Sequence, residues 1–436
     1  MAIGITWLFR YYTNGTTTVD LTSYVRSCTI DYDAALGRAG RARATIVLNN
    51  QNGEFTPGGS GTYAAADWFK YAFEIQSKAP SGDNTYRHSF SGMVDSFTVD
   101  IQSIKESTVT ISLVDIMTVG GRSQSTTSYY TTILTGYVHQ LLQRMYNGDS
   151  AGGTVFFAGV DMPYCGAAAE SVTEAFSNTD AITRVSNDDF PAGRVGDWVN
   201  NNLMVTGPGT SYTAGVRYDS GNTRFAWAIY TIDYPLNNTG FANLFTFADG
   251  SAALTSGQLP FTDIDVQYNF DSVINTCTAR DQRSVYTATT FADTTSTSNY
   301  GVRTVEFSST CTEQQVDVDR VAYFWPNRYA TPRYTVRTIS TSLSALKAFA
   351  VDNGVAAEQF ARLLTPTYGL WNRASVAYTA PGITSRRTEQ LVISRVRIAI
   401  TPADTRVSLD FVPGADNQSF ELGSTTYGVL GTNKVA

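Results

Sequence analysis

Histidine is almost missing from this chain: His88 and His139 are the only two among 436 residues. A three-histidine zinc centre is therefore impossible, and a two-histidine one would need both. Cysteine is scarce as well. Cys28, Cys165, Cys277 and Cys311 lie far apart with no CxxC pair, which excludes a zinc ribbon and a disulfide scaffold. Buried free thiols are the expectation. Charged residues are only 16% of the chain, the formal net charge is −7, and no basic run occurs. Such a chain is not built to grip nucleic acid by neutralising phosphates. No apolar run approaches the roughly 18 residues that span a bilayer, so no stable membrane insertion is expected. Residues 1–9 carry neither a basic n-region nor a small-residue cleavage site, which reads as a soluble protein made without a secretion signal. No internal repeat of solenoid or propeller length is visible.

What is abundant points to β structure. Tyr (25) and Phe (23) are plentiful and Thr recurs throughout, and all three favour half-buried pleated surfaces; 35 Gly supply turns. Period-two alternation is clear in 41–48, with Ala42, Ala44, Ile46 and Leu48 on one face, and in 108–113, with Val109, Ile111 and Leu113. Asn49-Asn50-Gln51-Asn52-Gly53 predicts a turn. Strands over 71–76 and 86–99 complete a first β unit. Leu134, Val138, Leu141 and Met145 predict an amphipathic helix ending near Asn147-Gly148, and a shorter one is expected around Val195, Trp198 and Val199. A hairpin is predicted over 211–231 with its turn at Asp219-Ser220-Gly221-Asn222. Strands return over 259–339, interrupted by the Thr/Ser-rich stretch 287–300, which reads as a mobile loop. Helices are expected near 315–325 and over 342–364, the latter broken at Asn353-Gly354. A closing hairpin sets Val396, Ile398 and Ile400 against Val407, Leu409 and Phe411 around 401–404. The chain is thus mainly β with helical insertions. Its expected divisions are 1–120, a middle part 121–258 with helices and a hairpin, and 259–436 ending in an extended tail.

Candidate chemistry is thin. Asp263 and Asp265, with Asp271 nearby, alternate with Ile264, Val266 and Tyr268 and read as the wet face of a strand; a calcium loop would need Gly where Tyr268 stands. Asp317 and Asp319 form a weaker version. Asp188 and Asp189 read as helix-capping residues rather than a catalytic pair. Neither histidine has a diagnostic Ser, Cys or Asp partner, and no nucleophile elbow, P-loop or dinucleotide fingerprint stands in context. No catalytic residue, cofactor or metal site is expected. Arg41 and Arg43, echoed by Arg395 and Arg397, each place an Arg-x-Arg row on an outward strand face. Two readings stand: protection of edge strands against aggregation, or a charged interface used twice by one assembly.

Three segments resemble a known family. Val19-Asp20-Leu21-Thr22-Ser23-Tyr24-Val25-Arg26-Ser27 is followed by Gly40-Arg41-Ala42-Arg43-Ala44-Thr45-Ile46-Val47-Leu48-Asn49-Asn50-Gln51-Asn52-Gly53-Glu54-Phe55-Thr56-Pro57 and by Phe90-Ser91-Gly92-Met93-Val94-Asp95-Ser96. In that order they resemble the N-terminal signature of minor tail proteins, the tail-tip or baseplate hubs of long-tailed bacteriophages. Ala292-Asp293 with Ser298-Asn299-Tyr300-Gly301-Val302-Arg303 is similar to a later segment of those proteins, and 398–409 with 428–436 to their ending. The resemblance implies a virion protein at the tail tip, made in the host bacterial cytoplasm. It implies a homotrimer with two tube-like β-barrel units per chain. The expected partners are a hexameric distal tail protein or tube ring, the tape-measure protein, and a central fibre or spike. DNA would pass through the lumen without specific binding. The absence of an appended lysozyme or peptidase domain argues against wall degradation. Two alternatives remain: an adhesin in which Tyr129, Tyr130 and Trp371 stack on host sugars, and a hydrolase with an unrecognised carboxylate pair.

Overall fold

A computed structural model describes residues 4–13, 18–33, 41–78, 86–103, 106–115, 118, 245–250, 254–268, 270, 272–281, 284–310, 315–332, 334–349, 355–365, 370, 372–380, 382 and 385–413, with short strands between 124 and 231. The first unit holds β1 (Thr6–Tyr12), β2 (Thr18–Asp20), β3 (Val25–Asp33), β4 (Arg41–Asn49), β5 (Ala72–Lys78), β6 (Arg87–Ser103) and β7 (Glu106–Val114). Four two-residue strands follow, β8 (Gln124–Ser125), β9 (Gly136–Tyr137), β10 (Arg184–Val185) and β11 (Gly193–Arg194), and then the hairpin β12 (Thr210–Asp219) and β13 (Asn222–Thr231). The rest comprises β14 (Phe245–Ala248), β15 (Leu259–Pro260), β16 (Asp263–Tyr268), β17 (Thr276–Asp281), β18 (Thr289–Ala292), α1 (Thr294–Tyr300), β19 (Thr304–Thr310), α2 (Gln315–Tyr329), β20 (Tyr334–Ser342), α3 (Leu343–Phe349), α4 (Val355–Leu363), β21 (Arg373–Tyr378), β22 (Arg387–Ile400) and β23 (Thr405–Pro413).

Fourteen strands share one mixed sheet in the order β15-β14-β21-β22-β3-β4-β7-β6-β5-β1-β2, with a branch from β22 through β23 and β20 to β16. The mainly β class with helical insertions holds. The two barrels do not: the strands pair in mixed sheets rather than closed barrels. The reason is β22, which spends its first half on β21 and its second half on β3, so strands from both ends of the chain enter one sheet. One apolar core follows, containing Ile30, Ile46 and Ile111 together with Val376, Ile398 and Leu409.

Local sequence explains the strands. In β4, Ala42, Ala44, Ile46 and Leu48 are buried while Arg41 and Arg43 are exposed; in β7, Val109, Ile111 and Leu113 are buried. The turn after β4 is held by buried Asn50. Its Nδ2 donates to Thr56 Oγ1 and Ser107 Oγ at 3.0 Å, and its Oδ1 accepts from Phe55 N at 2.9 Å. Gly53 sits at φ +70°, which a Cβ would disfavour. Phe55 then packs edge-on to Tyr24 and stacks on Tyr63, with Trp68 beside them. Gly92 lets β6 approach β7 so closely that a Cβ there would collide with the Val114 carbonyl.

The hairpins over 210–231 and 387–413 lie where the sequence places them, with turns at 219–222 and 401–404. Helices α2, α3 and α4 also agree, though α2 runs on to Tyr329. Elsewhere the expectations fare unevenly. Gly136–Tyr137, inside the predicted helix, instead pairs with Arg184–Val185, as a glycine and a β-favouring tyrosine allow; the remainder of that helix, and the one near 195–199, lie outside the described residues. Cys28 and Cys277 are buried free thiols, while Cys165 and Cys311 are outside the described part. The stretch 287–300 is not a loop but a strand followed by a helix.

That difference has a physical origin. Thr289–Ala292 pairs with β17, where the β-branched threonines suit a strand. Asp293 then caps α1, accepting from Ser296 N at 2.9 Å. Ser296 is buried, donates to the Ala330 carbonyl and accepts from Asn275 Nδ2 at 3.1 Å. Asn275 also reaches the Gly301 carbonyl at 2.7 Å and accepts from Arg303 N at 2.7 Å, closing the segment with hydrogen bonds rather than apolar burial. Replacing Asp293 with Ala should cost about 1 kcal/mol in urea unfolding. A nonspecific protease should spare 289–300 in the native chain and cut there only in the variant; early native cleavage would contradict the capped helix.

Candidate assembly face

The two arginine rows stand on one surface. Cross-strand register places Arg41 of β4 opposite Asp33 of β3, Asp33 opposite Arg395 of β22, Arg395 opposite Asp410 of β23, Asp410 opposite Thr338 of β20, and Thr338 opposite Asp265 of β16. Two residues along, a parallel row runs Arg43, Asp31, Arg397, Ser408, Ser340, Asp263. Partners opposite one another in an antiparallel sheet share a face, so both rows cross six strands on one side. Neither β4 nor β22 is an edge strand: β4 lies between β3 and β7, and β22 is paired on both sides. The edge-protection reading therefore has no edge to protect.

The middles of the two rows are paired with each other. Arg395 Nε donates to Asp31 Oδ1 at 2.8 Å while its terminal nitrogen reaches the other oxygen. Arg397 grips both oxygens of Asp410 at 2.6 and 2.8 Å, and Thr338 Oγ1 donates to Asp410 at 2.9 Å. The Arg395 and Asp31 side chains keep 34% and 38% of their exposure. At that exposure such pairs contribute about 1 kcal/mol or less each. The ends differ. Among the described residues, Arg41 and Arg43 at one end and Asp263 and Asp265 at the other form no ion pair or side-chain hydrogen bond, and all four are exposed. The wet-face reading of Asp263 and Asp265 agrees with this, with Ile264 and Val266 packed on the core; Tyr268 departs from it, being exposed too.

A second polar cluster is buried. β5 is covered on both faces, and Glu74 on it is 1% exposed. Its Oε2 accepts from Arg10 Nε and Tyr12 Oη at 2.6 Å; its Oε1 accepts from Gln76 Nε2 at 2.8 Å and lies 3.3 Å from His88 Nδ1. Ser91 Oγ lies 3.2 Å from His88 Nε2. His88 thus has both a carboxylate and a hydroxyl partner that sequence reasoning missed. The signal was partial: Glu74 and His88 stand on two strands predicted to follow one another in the chain, and the structure pairs those strands. Ser91 contacts the ring edge near both nitrogens, and His88 is only 3% exposed, so the cluster offers substrate neither an approach nor an aligned nucleophile. Burial pushes the Glu74 pKa up, but hydrogen bonds from His88 and Tyr12 and the charges of His88 and Arg10 outweigh it and hold the group down to about 2. Asp115 goes the other way. Burial raises it to about 6, against hydrogen bonds from Thr118 and the Ala42 N–H.

Other expected residues are scattered. Asp319 accepts from Thr289 Oγ1 at 2.6 Å and Gln315 Nε2 at 3.0 Å, which ties α2 to β18. His139, Asp188, Asp189, Asp271, Tyr129, Tyr130, Trp371 and the side chain of Asp317 lie outside the described residues. Among the described residues no three His, Cys, Asp or Glu side chains gather as metal ligands, and no helix is long and apolar enough to cross a membrane.

No family model and no curated protein matches the chain. Solved structures similar to it include the tail protein from Neisseria meningitidis MC58, at 10% identity over 93% of this chain and 96% of that one, TM-score 0.49. The 43 kDa tail protein of prophage MuSo2 from Shewanella oneidensis is similar at 9% identity over 94% and 99%, TM-score 0.49. Prophage tail protein gp18 from Listeria monocytogenes EGD-e is similar at 8% over 92% and 94%, TM-score 0.43.

The two buried carboxylates set opposite pH limbs. Glu74, depressed from 4.5 to about 2, contributes stability that is present above pH 4.5 and lost as pH falls through about 2. Asp115, raised from 3.8 to about 6, contributes stability that is present below pH 3.8 and lost as pH rises through about 6. Urea midpoints measured from pH 2.5 to 7 should therefore lose their acid limb in Glu74→Gln and their fall between pH 4 and 6 in Asp115→Asn. Glu74→Gln should also cost about 3 kcal/mol at pH 7, because buried partners lose their counter-charge. Unchanged pH slopes in both variants would show that neither group is held as described.

Proposed function

We propose that the chain is a structural, non-enzymatic hub of a bacteriophage tail tip or baseplate. One observation carries the reading. Of the sequence segments that resemble the tail-hub signature, those on β3, β4, β22 and β23, up to some 370 positions apart in the chain, fall on strands that neighbour one another, and those on β2 and β6 lie in the same sheet; 292–303 lies in the small β17–β19 sheet and α1, and 428–436 lies outside the described residues. The family-like residues also do the structural work there, with Asn50, Gly53 and Phe55 fixing the turn and Gly92 allowing the close strand approach. A sequence match that maps onto one connected sheet is harder to reach by chance than one scattered over loops.

In this reading the chain forms a homotrimer that docks on a hexameric distal tail protein or tube ring. It contacts the tape-measure protein on one side and a central fibre or spike on the other, and it resides in the virion after synthesis in the host cytoplasm. The lumen passes DNA on infection without binding it, which suits a chain of net charge −7. Particles carrying a gold-labelled tag on this chain should show label at the tail tip only, and cryo-EM of that tip should count three copies. Label along the tube or at the head, or six copies at the tip, would overturn the proposal.

A further inference from the structure

The turn after β4 puts a reactive pair on the surface. Asn52-Gly53 is one of four Asn-Gly pairs in the sequence; the others, Asn14-Gly15, Asn147-Gly148 and Asn353-Gly354, lie outside the described residues. Asn52 is exposed, and its carboxamide makes no hydrogen bond among the described residues. Glycine follows it, so no Cβ shields the next backbone nitrogen. An unbonded carboxamide therefore stands one residue from an unshielded nucleophile. The turn restrains the two. The Gly53 N–H donates to the Asn50 carbonyl at 2.9 Å, which keeps that nitrogen engaged. Asn50 is itself buried and anchored through its side chain to Phe55 N, Thr56 Oγ1 and Ser107 Oγ.

We propose that Asn52 is a self-modification site, its reaction gated by opening of this turn and its product releasing the loop that follows. When the bond from Gly53 to Asn50 opens, the Gly53 nitrogen attacks Asn52 Cγ. The N–Cγ bond forms, the Cγ–Nδ2 bond breaks, and the Gly53 amide proton leaves with Nδ2 as ammonia. Water then opens the cyclic imide at either carbonyl, giving aspartate or isoaspartate at position 52. In the imide Gly53 has no N–H, so its bond to Asn50 cannot re-form. In the isoaspartate product the backbone between Asn50 and Phe55 is longer by one carbon. The 2.9 Å bond from Phe55 N to Asn50 Oδ1 then closes a different ring and no longer fits. Phe55 is fully buried against Tyr24 and Tyr63, so the change reaches the core. Either product also adds a carboxylate two residues before Glu54.

Peptide mapping that separates asparagine, aspartate and isoaspartate tests this on the full chain, aged in mildly alkaline buffer with and without urea. Product at position 52 should accumulate in the native chain at least about tenfold more slowly than in urea, the factor that an opening free energy of about 1.4 kcal/mol gives. In urea, where no turn remains, the four Asn-Gly pairs should react at similar rates. Native chain enriched in isoaspartate at position 52 should be cut within 51–62 by a nonspecific protease, while unmodified chain should not. Asn52→Gln, aged identically, should resist cleavage and keep the wild-type urea midpoint, because an exposed, unbonded side chain contributes little to folding. A native chain without product when the urea sample is fully converted would overturn the inference. So would equal rates with and without urea, or modified chains as resistant to protease as unmodified ones.

Discussion

The charged face depends on one antiparallel pairing, residues 28–33 of β3 against 395–400 of β22. The partners are separated by some 364 positions, and closing so long a loop costs about 5 kcal/mol in chain entropy. The Arg395–Asp31 pair cannot offset that, being half solvated. The buried side chains can. Cys28, Ile30 and Tyr32 from one strand and Val396, Ile398 and Ile400 from the other all lie in the common core, and each large apolar side chain contributes about 1.5–3 kcal/mol on burial. Apolar packing makes the seam, and the charges are carried on it. Pairing of this kind is also slow to form, since non-local contacts form only after the intervening chain has been ordered.

Polar groups in the molecule divide by solvent access. Glu74 is sealed from water, so its ionised form persists only because Arg10, Tyr12, Gln76 and His88 surround it. Such a network stabilises strongly when complete and fails when one member goes. The rows across β4 to β16 stand in solvent, where each pair contributes little to the fold. Their freedom from structural duty is what leaves them available for recognition, because reversing a charge there need not disturb the core.

How far the sequence foretold this varies with the range of the interaction. Alternation exposed β4, β7, β22 and β23 because each buries one face, and the 401–404 turn lies between matched strands. The outward direction of Arg41, Arg43, Arg395 and Arg397 was legible for the same reason. That the two rows are neighbours was not, since period-two patterning assigns faces but not partners. It also hid Glu74: β5 is covered on both sides, so its polar residues look solvent-facing while being buried. The stretch 287–300 misled through composition. Composition alone gives no sign that its Thr and Ser residues fold, yet Asp293 and Ser296 at a capping spacing, with Asn275 just before the neighbouring strand β17, supply the hydrogen bonds that replace a core.

Native-state amide hydrogen exchange addresses the seam most directly. If β3 and β22 are one structural unit, amides in 28–33 and 395–400 should open with a single free energy, equal to that of global unfolding and among the highest in the chain. Distinct opening energies for the two segments, with one exchanging freely while the other stays protected, would show two independent β units and would remove the shared charged face.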